Sequence, residues 1–252
     1  MGRRHRLGIV QANRPVIRAT GGIGGGSEIT TLNNDPYFSS VVLLAFNNNA
    51  ADTTTTFVDQ SNLALTLTAV GDAQYDTAQA PTGMLSSYLS DGTGDAIRLP
   101  VSTGLTLSGN FTIEAFVRLN ANDSNTFLLG PDTTIRNVQC RMNEAGIGML
   151  SMYDGLNNPR STSNGSSWSN VWRHTAYSRI GSDLTFWQDG IQVGTAVTNS
   201  GTFNFSGQYI GAAGGATPTT SLTGWLCSLR VTKGVGRYTV NFTPPTLPLP
   251  IV

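Results

Sequence analysis

The sequence predicts an all-β fold, a two-sheet antiparallel sandwich, from three observations. Short segments in which apolar and polar residues alternate recur along the chain, as in Phe111–Leu119, and this period of two is typical of strands with one buried face. Turn residues separate these segments, and Gln188-Asp189-Gly190 is a strong hairpin signal. Charged residues make up only 12% of the chain, too few for the solvent faces of many amphipathic helices. Many short strands between turns indicate a sandwich or jelly roll.

The strands can be placed in order from the same pattern. Val41–Phe46 is apolar throughout and is expected to be buried on both faces. Leu63–Val70 alternates and is expected to be a strand with one buried face. The proline-rich tail 244–250 cannot form a full ladder of hydrogen bonds and is expected to end the domain as extended chain. The remaining predicted strands are 83–90, 95–99, 111–119, 125–130, 134–142, 146–153, 171–179, 183–188, 191–197, 207–211 and 222–232.

We expect two regions, a basic N-terminal arm with a glycine-rich linker at 1–34 and a β-sandwich domain at 35–252. Residues 1–26 contain no acid, whereas the remainder of the chain has ten basic and fifteen acidic groups. Such asymmetry suggests an extended arm that docks on an acidic partner. The arm residues assigned to this contact are Arg3, Arg4, Arg6, Arg14 and Arg18.

The arm has three interpretations: a solvated tail, a nucleic-acid contact, or a segment that threads between protein subunits. Apolar residues such as Leu7 and Ile9 are interspersed with the arginines, and no aromatic residue precedes Tyr37 to stack on bases. These features favour a protein groove, where arginines bond carboxylates, over nucleic acid.

Neither a metal site of cysteines nor a membrane span is indicated. Cys140 and Cys227 belong to no C-x-x-C pair, which argues against zinc. We expect two buried reduced thiols, although the sequence leaves a disulfide open. The longest apolar run has six residues, far short of a membrane helix. Leu7–Val10 is too short for an export signal, so we expect the protein to be made and used without the secretory pathway.

No catalytic residue is assigned. A Ser-His-Asp triad would need His174, because His5 lies in the arm, and no G-x-S-x-G elbow presents a nucleophile. We expect His174 to bond a neighbour within the sandwich. Glycoside hydrolysis needs two facing carboxylates, but Glu114 has no acid two residues away on its strand. The sequence therefore predicts a non-enzymatic protein.

The four tryptophans are candidate sugar platforms, since their flat faces stack on apolar surfaces. Trp172, Trp187 and Trp225 lie within predicted strands and are expected to pack in the core. Trp168 lies in a serine-rich loop and is the one expected to be exposed. It is therefore the candidate glycan contact.

Five segments, in register, carry a family resemblance. Together they resemble the laminin-G-like branch of the concanavalin A-like jelly rolls found in many tailed-phage genomes. The segments are DPYFSSVVLL (35–44), YLSDGTGDAI (88–97), FTIEAFV (111–117), WRHTAYSR with LTFWQDGIQVG (172–194), and LRVTKGVGRYT with NFTPP (229–245).

The resemblance implies a two-sheet jelly roll and a virion-associated role. The protein would be a non-enzymatic bacteriophage structural component, made in the host cytoplasm and used in the virion as capsid decoration or in the tail, fibre or baseplate. Other virion proteins would hold it through residues 1–26, and its outer face would either bind host glycans or join neighbouring subunits. A homo-oligomer is compatible with this role. The alternatives are a free carbohydrate-binding lectin module and, less favoured, a glycan hydrolase.

Calcium enters through the same resemblance, because many laminin-G-like domains bind Ca²⁺ with Asp and Asn oxygens at a loop rim. Asp91 and Asp95 could supply such oxygens. Their spacing also suits the turn Asp91-Gly92-Thr93-Gly94, which is the favoured interpretation. No metal ligand and no cofactor are therefore assigned.

Overall fold

The computed structural model describes residues 34–252 except 122–125, 133–138, 145–147, 163 and 216. The described residues belong to one unit, Asn33–Val252. The arm contact assigned to Arg3, Arg4, Arg6, Arg14 and Arg18 lies outside the described residues and stays a prediction.

Nearly all of the regular structure in the described residues is β-strand. Two single 3₁₀ turns, Phe38–Ser40 and Thr103–Leu105, are the described helices, and neither has the length to cross a membrane. The strands are β1 Val41–Ala45, β2 Thr68–Val70, β3 Gln74–Asp76, β4 Ser87–Asp91, β5 Ala96–Arg98, β6 Thr106–Leu107, β7 Phe111–Leu119, β8 Thr126–Gly130, β9 Gln139–Glu144, β10 Met149–Tyr153, β11 Trp172–Ile180, β12 Asp183–Gln188, β13 Ile191–Gln192, β14 Val197–Thr198, β15 Phe203–Asn204, β16 Tyr209–Ile210, β17 Ala212–Ala213, β18 Thr220–Ser221 and β19 Thr223–Lys233.

These strands form two main antiparallel sheets, which confirms the predicted sandwich. The large sheet has the order β13-β12-β11-β7-β19-β4-β3, with β1 beside β19 and β14 beside β12. The smaller sheet has the order β10-β9-β8-β16-β5-β2. Two short ribbons, β15-β6 and β17-β18, complete the strands within the described part of the chain. Sequence neighbours often lie apart in these orders, as expected for a jelly roll.

Alternation along β7 decides which side chains enter the core. Phe111, Ile113 and Val117 point between the sheets and are buried in the main apolar cluster. Glu114 and Phe116, on the alternate positions, face away from that cluster, as the period of two requires. The outer face of the large sheet therefore carries polar and aromatic residues of this strand.

The predicted strand 63–70 is only partly formed, since regular pairing covers Thr68–Val70 alone. Ala64 has a positive φ of 44°, which breaks an extended chain. The carboxylate of Asp59 accepts the backbone N–H groups of Ser61 and Leu65 at 2.9 and 2.8 Å. A side chain thus supplies the acceptors that a neighbouring strand would otherwise provide.

A β-bulge in β19 changes which residues reach the outer face. The pairing with β7 shifts between Cys227 and Arg230, and Ser228 has a φ of 50°. Leu226 and Leu229 both enter the core although they are three residues apart. The extra residue therefore resets the alternation and places Arg230 outward, opposite Glu114.

The last nineteen residues, 234–252, form a C-terminal segment that crosses the outer face of the large sheet. Its Phe242 N–H donates to Gly190 O at 2.9 Å, and its Leu249 N–H donates to Asn47 Oδ1 at 2.7 Å. Any Cβ on Gly190 would collide with the Phe242 carbonyl oxygen, so glycine is needed for this close approach. At the end of the chain, Val252 O accepts the N–H of Asp35 at 2.8 Å.

Candidate functional site

A buried charge network lies between the large sheet and the C-terminal segment. Glu114 is 1% exposed, and its Oε1 accepts from Nε and Nη2 of Arg230 at 2.9 and 2.8 Å. Its Oε2 lies 3.1 Å from Nε2 of His174 and accepts the Tyr238 hydroxyl at 2.6 Å. Glu114 therefore has partners from three directions, which a buried charge requires.

The network continues to the start of the domain. Nη1 of Arg230 donates to Asp35 Oδ2 at 3.0 Å, and Arg237 adds a bidentate bond to the same carboxylate at 2.9 and 2.7 Å. Arg237 also lies over the Tyr37 ring, 5.3 Å from its centroid. The network thus joins the chain before β1, the middle of the sheet and the C-terminal segment.

Electrostatics keep both acids of the network ionised. Burial by itself would raise the pKa of Glu114, but the charge of Arg230 and the contacts with His174 and Tyr238 outweigh it and hold that pKa well below its usual value. Burial likewise opposes ionisation of Asp35, and hydrogen bonds from Arg237 and the Tyr37 N–H lower its pKa. A carboxyl group that stays ionised cannot act as the general acid of a glycosidase.

His174 connects the network to the surface. Because the Glu114 carboxylate can only accept, a neutral His174 carries its proton on Nε2. Nδ1 of His174 is then an acceptor, and it has no hydrogen-bond partner among the described residues although the side chain is only 1% exposed. The predicted bond to a neighbour is confirmed.

His174 lines a groove of about 500 Å³ on the outer face. The loop Pro81–Gly83 and residues Pro244–Leu247 of the C-terminal segment line it. Phe116 lies beside His174 with their ring centroids 4.9 Å apart. The remaining lining residues are Trp172 and Asp189. A concave site with aromatic sides and few polar groups suits a small organic ligand.

An aromatic and cationic row continues from this groove across three strands. Trp172 on β11 is the cross-strand partner of Arg118 on β7, and Arg118 is the partner of Trp225 on β19. All three are half-buried. The Arg118 guanidinium lies over the Trp225 ring, 5.0 Å from its centroid, and the indole N–H donates to Asp76 Oδ2 at 2.6 Å.

The expectation that Trp168 is exposed is wrong. Its side chain is fully buried in the main core cluster, because Ser169 bridges to Leu119 and draws the loop against the end of the sheet. A glycan cannot stack on this ring in the folded domain.

The expectations for the other tryptophans are met in part. Trp187 is buried as predicted, although it packs against Phe242 of the C-terminal segment, 5.5 Å between ring centroids, on the outer face. Trp172 and Trp225, expected in the core, are instead half-buried on that face.

Sequence reasoning missed Trp172, Phe116 and Arg118 as site residues. A signal was available, because alternation places all three on the face opposite the core residues of their strands. That signal does not say which outward residues are covered by a distant segment.

The three acids Asp72, Asp91 and Asp95 meet at the end of β4, with one carboxylate oxygen of each within 4.8 Å of the others. Oxygen donors of this type suit calcium. However, both oxygens of Asp95 already accept backbone N–H groups, from Asp72 and Asp91, at 3.0 Å each. Burial and the adjacent Asp72 carboxyl raise the pKa of Asp95 to about 6. The hydrogen bonds support the turn role, and we assign no metal ligand.

Both cysteines are buried and unpaired with each other, which confirms the expected reduced thiols. A second cavity, of about 380 Å³, lies at the edge of the smaller sheet. Its arginine, Arg98, is already bonded to Asp132 at 2.9 Å, and no aromatic ring is among the described residues that line it. The outer-face groove is therefore the stronger candidate site.

The two antiparallel sheets and the aromatic groove on the outer face of the large sheet are those of a lectin-like β-sandwich. The chain belongs to the concanavalin A-like lectin/glucanases superfamily, because the family model of that description, of laminin-G type, matches residues 91–235. No curated protein sequence matches the chain with significance.

Several solved structures share the fold. Domain 4 of AbnA, a GH43 extracellular arabinanase from Geobacillus stearothermophilus, was solved in complex with arabinotriose. It matches with a TM-score of 0.56 and 18% identity over 78% of this chain and 94% of that domain. The binding domain of Paraclostridial Mosquitocidal Protein 1 matches with a TM-score of 0.51 and 14% identity, over 78% of this chain and 49% of that one.

The binding domain of botulinum neurotoxin serotype C1 gives a TM-score of 0.53 and 12% identity over 79% of this chain and 50% of that one. This chain therefore spans about half the length of the two toxin binding domains. At these identities the likeness concerns the fold alone.

Proposed function

We propose that the protein is a non-enzymatic, glycan-binding β-sandwich of a bacteriophage virion, with the outer-face groove as its glycan site. The observation that carries the proposal is the half-buried Trp172, which lines the groove beside Phe116. Sugars present an apolar C–H face and a rim of hydroxyl groups. The aromatic rings match the apolar face.

Structures with the same fold support the glycan part of the proposal. Domain 4 of AbnA was solved with arabinotriose, and the binding domain of botulinum neurotoxin DC, with a TM-score of 0.54 to this chain, was solved with SialylT. The second is described as a binding domain and the first as a domain of an arabinanase, and both descriptions name a complex, which is consistent with a binding role for this sandwich.

The proposed absence of catalysis rests on the acids near the groove. Asp189 is the acid that lines the groove within the described residues, and its carboxylate is bonded to Arg173 at 2.6 Å and to the His174 N–H at 2.9 Å. Glu114 is buried and ionised beneath the C-terminal segment. Neither is placed as one of two facing carboxyl groups across a sugar.

A glycan array followed by calorimetry with the strongest ligand tests the site. Trp172→Ala removes the stacking surface, so we expect affinity to fall about tenfold or more, the usual size of a tryptophan hot spot. The matched control is Phe127→Ala, which removes a half-buried ring beneath Arg141 on the smaller sheet and should bind normally. Full affinity in Trp172→Ala would contradict the groove, and binding of no glycan would contradict the function.

The virion part of the proposal is supported by the resemblance of residues 35–245 to phage-encoded domains and by the basic residues of 1–26. Deleting residues 1–26 should leave a folded domain that no longer joins the particle. Full incorporation of the truncated protein would overturn the anchor role. A free lectin module is the second candidate, favoured if glycan binding is found while the full chain is absent from particles.

A further inference from the structure

Arg118 stands at the end of the groove, although it does not line it. It follows Phe116 by two residues on the same face of β7, and its cross-strand partner is Trp172. Both of these neighbours line the groove. Adjacent strands lie about 4.8 Å apart, so a sugar next to one stacked on Trp172 comes within reach of the Arg118 guanidinium.

The guanidinium of Arg118 is held in place by a chain of contacts. Asp76 accepts the Trp225 indole N–H at 2.6 Å and also the Ala78 N–H at 2.8 Å, which fixes the ring. The ring face supports the guanidinium at 5.0 Å. A stacked guanidinium keeps the N–H groups at its edge free for an anion. Trp225 and Asp76 are therefore positioning residues for Arg118.

Arg118 has no acidic partner among the described residues. Arg179 on β11 has none either, but its guanidinium donates to the carbonyl oxygens of Gly109 and Gly201. Arg230 and Arg237 share Asp35, and Arg173 bonds Asp189. Arg118 is therefore a positioned cation beside an aromatic groove. A guanidinium binds the paired oxygens of a carboxylate or of a tetrahedral oxyanion through two parallel hydrogen bonds.

We infer that the groove selects acidic glycans and that Arg118 binds the oxyanion of the sugar next to the one stacked on Trp172. This inference rests on the proposed glycan-binding function. The oxyanion is a carboxylate of a uronic or sialic acid, or a sulfate, since each presents the same paired oxygens to a guanidinium.

The test is an array of paired oligosaccharides probed with the full-length chain. It carries oligogalacturonates and hyaluronan fragments beside their carboxyl-reduced forms, sialylated glycans beside their asialo forms, and sulfated glycans beside desulfated ones. We expect the bound members to be acidic and to exceed their neutral partners about tenfold, the effect of one charge-assisted contact. Binding of the carboxylated series or of the sulfated series shows which of the two oxyanions Arg118 recognises.

Arg118→Gln should bring the acidic and neutral members of a pair to nearly equal affinity. Arg98→Gln removes the same charge on the other sheet, where the arginine already has Asp132, and should keep the preference. A preference retained in Arg118→Gln, or neutral glycans bound as well as acidic ones, overturns the inference while the glycan function stands. Binding of neither class by the wild-type protein overturns both. Trp225→Leu should lower the preference while neutral binding persists.

Discussion

The hydroxyl of Tyr238 donates a 2.6 Å hydrogen bond to the carboxylate of Glu114. This contact joins the C-terminal segment to β7, the middle strand of the large sheet, and gives the buried Glu114 carboxylate a partner from that segment. Tyr238 also stacks on Phe242, with ring centroids 3.6 Å apart. The C-terminal segment, which lines the groove with Pro244–Leu247, is therefore bonded to the buried Glu114 carboxylate.

Removing this hydroxyl should destabilise the domain. Tyr238→Phe keeps the ring stack but removes a hydrogen bond to a charged group, a loss of about 1.5–3 kcal/mol in the free energy of unfolding. Urea denaturation measures it. Tyr153→Phe is the control, because its hydroxyl donates to Gly155 O near the surface and should cost about 1 kcal/mol or less. Equal losses in the two variants would contradict the special role of the Tyr238–Glu114 bond.

Acid sensitivity should depend on Glu114. Its folded pKa is lowered, so its contribution to stability is complete above the unfolded pKa near 4.5 and is lost as the pH falls towards the folded value. Glu114→Gln should lower the free energy of unfolding at pH 7 by about 3–5 kcal/mol, because Arg230 loses a buried partner. It should also flatten the decline of stability below pH 4.5.

Asp132→Asn breaks the exposed ion pair with Arg98 and serves as the comparison for Glu114→Gln, with an expected loss of about 1 kcal/mol at most. A Glu114→Gln protein that shows the wild-type acid profile would argue that other groups govern acid unfolding.

The Asp72–Asp91–Asp95 cluster should have the opposite pH dependence. The folded pKa of Asp95 is raised to about 6 from 3.8, so the folded protein holds more protons than the unfolded chain between these values. Stability from this group therefore falls as the pH rises through that window. Asp72→Asn removes the neighbouring charge and should increase stability above pH 6 and flatten the decline.

Thermal unfolding between pH 4 and 8 measures this effect, and Asp183→Asn, an exposed acid at the start of β12, is the matched charge control. An Asp72→Asn protein that is less stable than wild type at pH 7.5 would mean that the Asp72 carboxylate holds the turn through a favourable contact.

Alanine substitutions of Trp168 and Trp172 should have different effects, the first on the stability of the domain and the second on glycan affinity. Trp168→Ala leaves a large cavity in the core and should destabilise the domain by about 3–5 kcal/mol. Trp172→Ala, at a half-buried position, should cost much less stability and lower glycan affinity. Chemical denaturation and calorimetry on both variants provide the comparison. Loss of affinity in Trp168→Ala while the domain remains fully folded would restore Trp168 as a glycan contact.

Local patterns were sufficient for much of the fold. Phe111–Leu119 and Asp183–Gln188 form strands with the predicted bounds, because period-two alternation reports one buried face directly. The pattern failed where a side chain replaced a strand partner, as Asp59 does for Leu65. It also failed in β19, where the bulge at Ser228 turns Arg230 outward.

The sandwich, its main strands and the superfamily were predictable from the chain, because they follow from alternation and from short local motifs. Which outward residues form the candidate site depends on tertiary contacts. Trp187 and Glu114 lie beneath the C-terminal segment, whereas Trp172 and Arg118 do not. That difference depends on long-range contacts of the C-terminal segment, such as those of Phe242 with Gly190 and of Leu249 with Asn47. No local pattern reports such a contact, since burial of an outward face depends on residues far away in sequence.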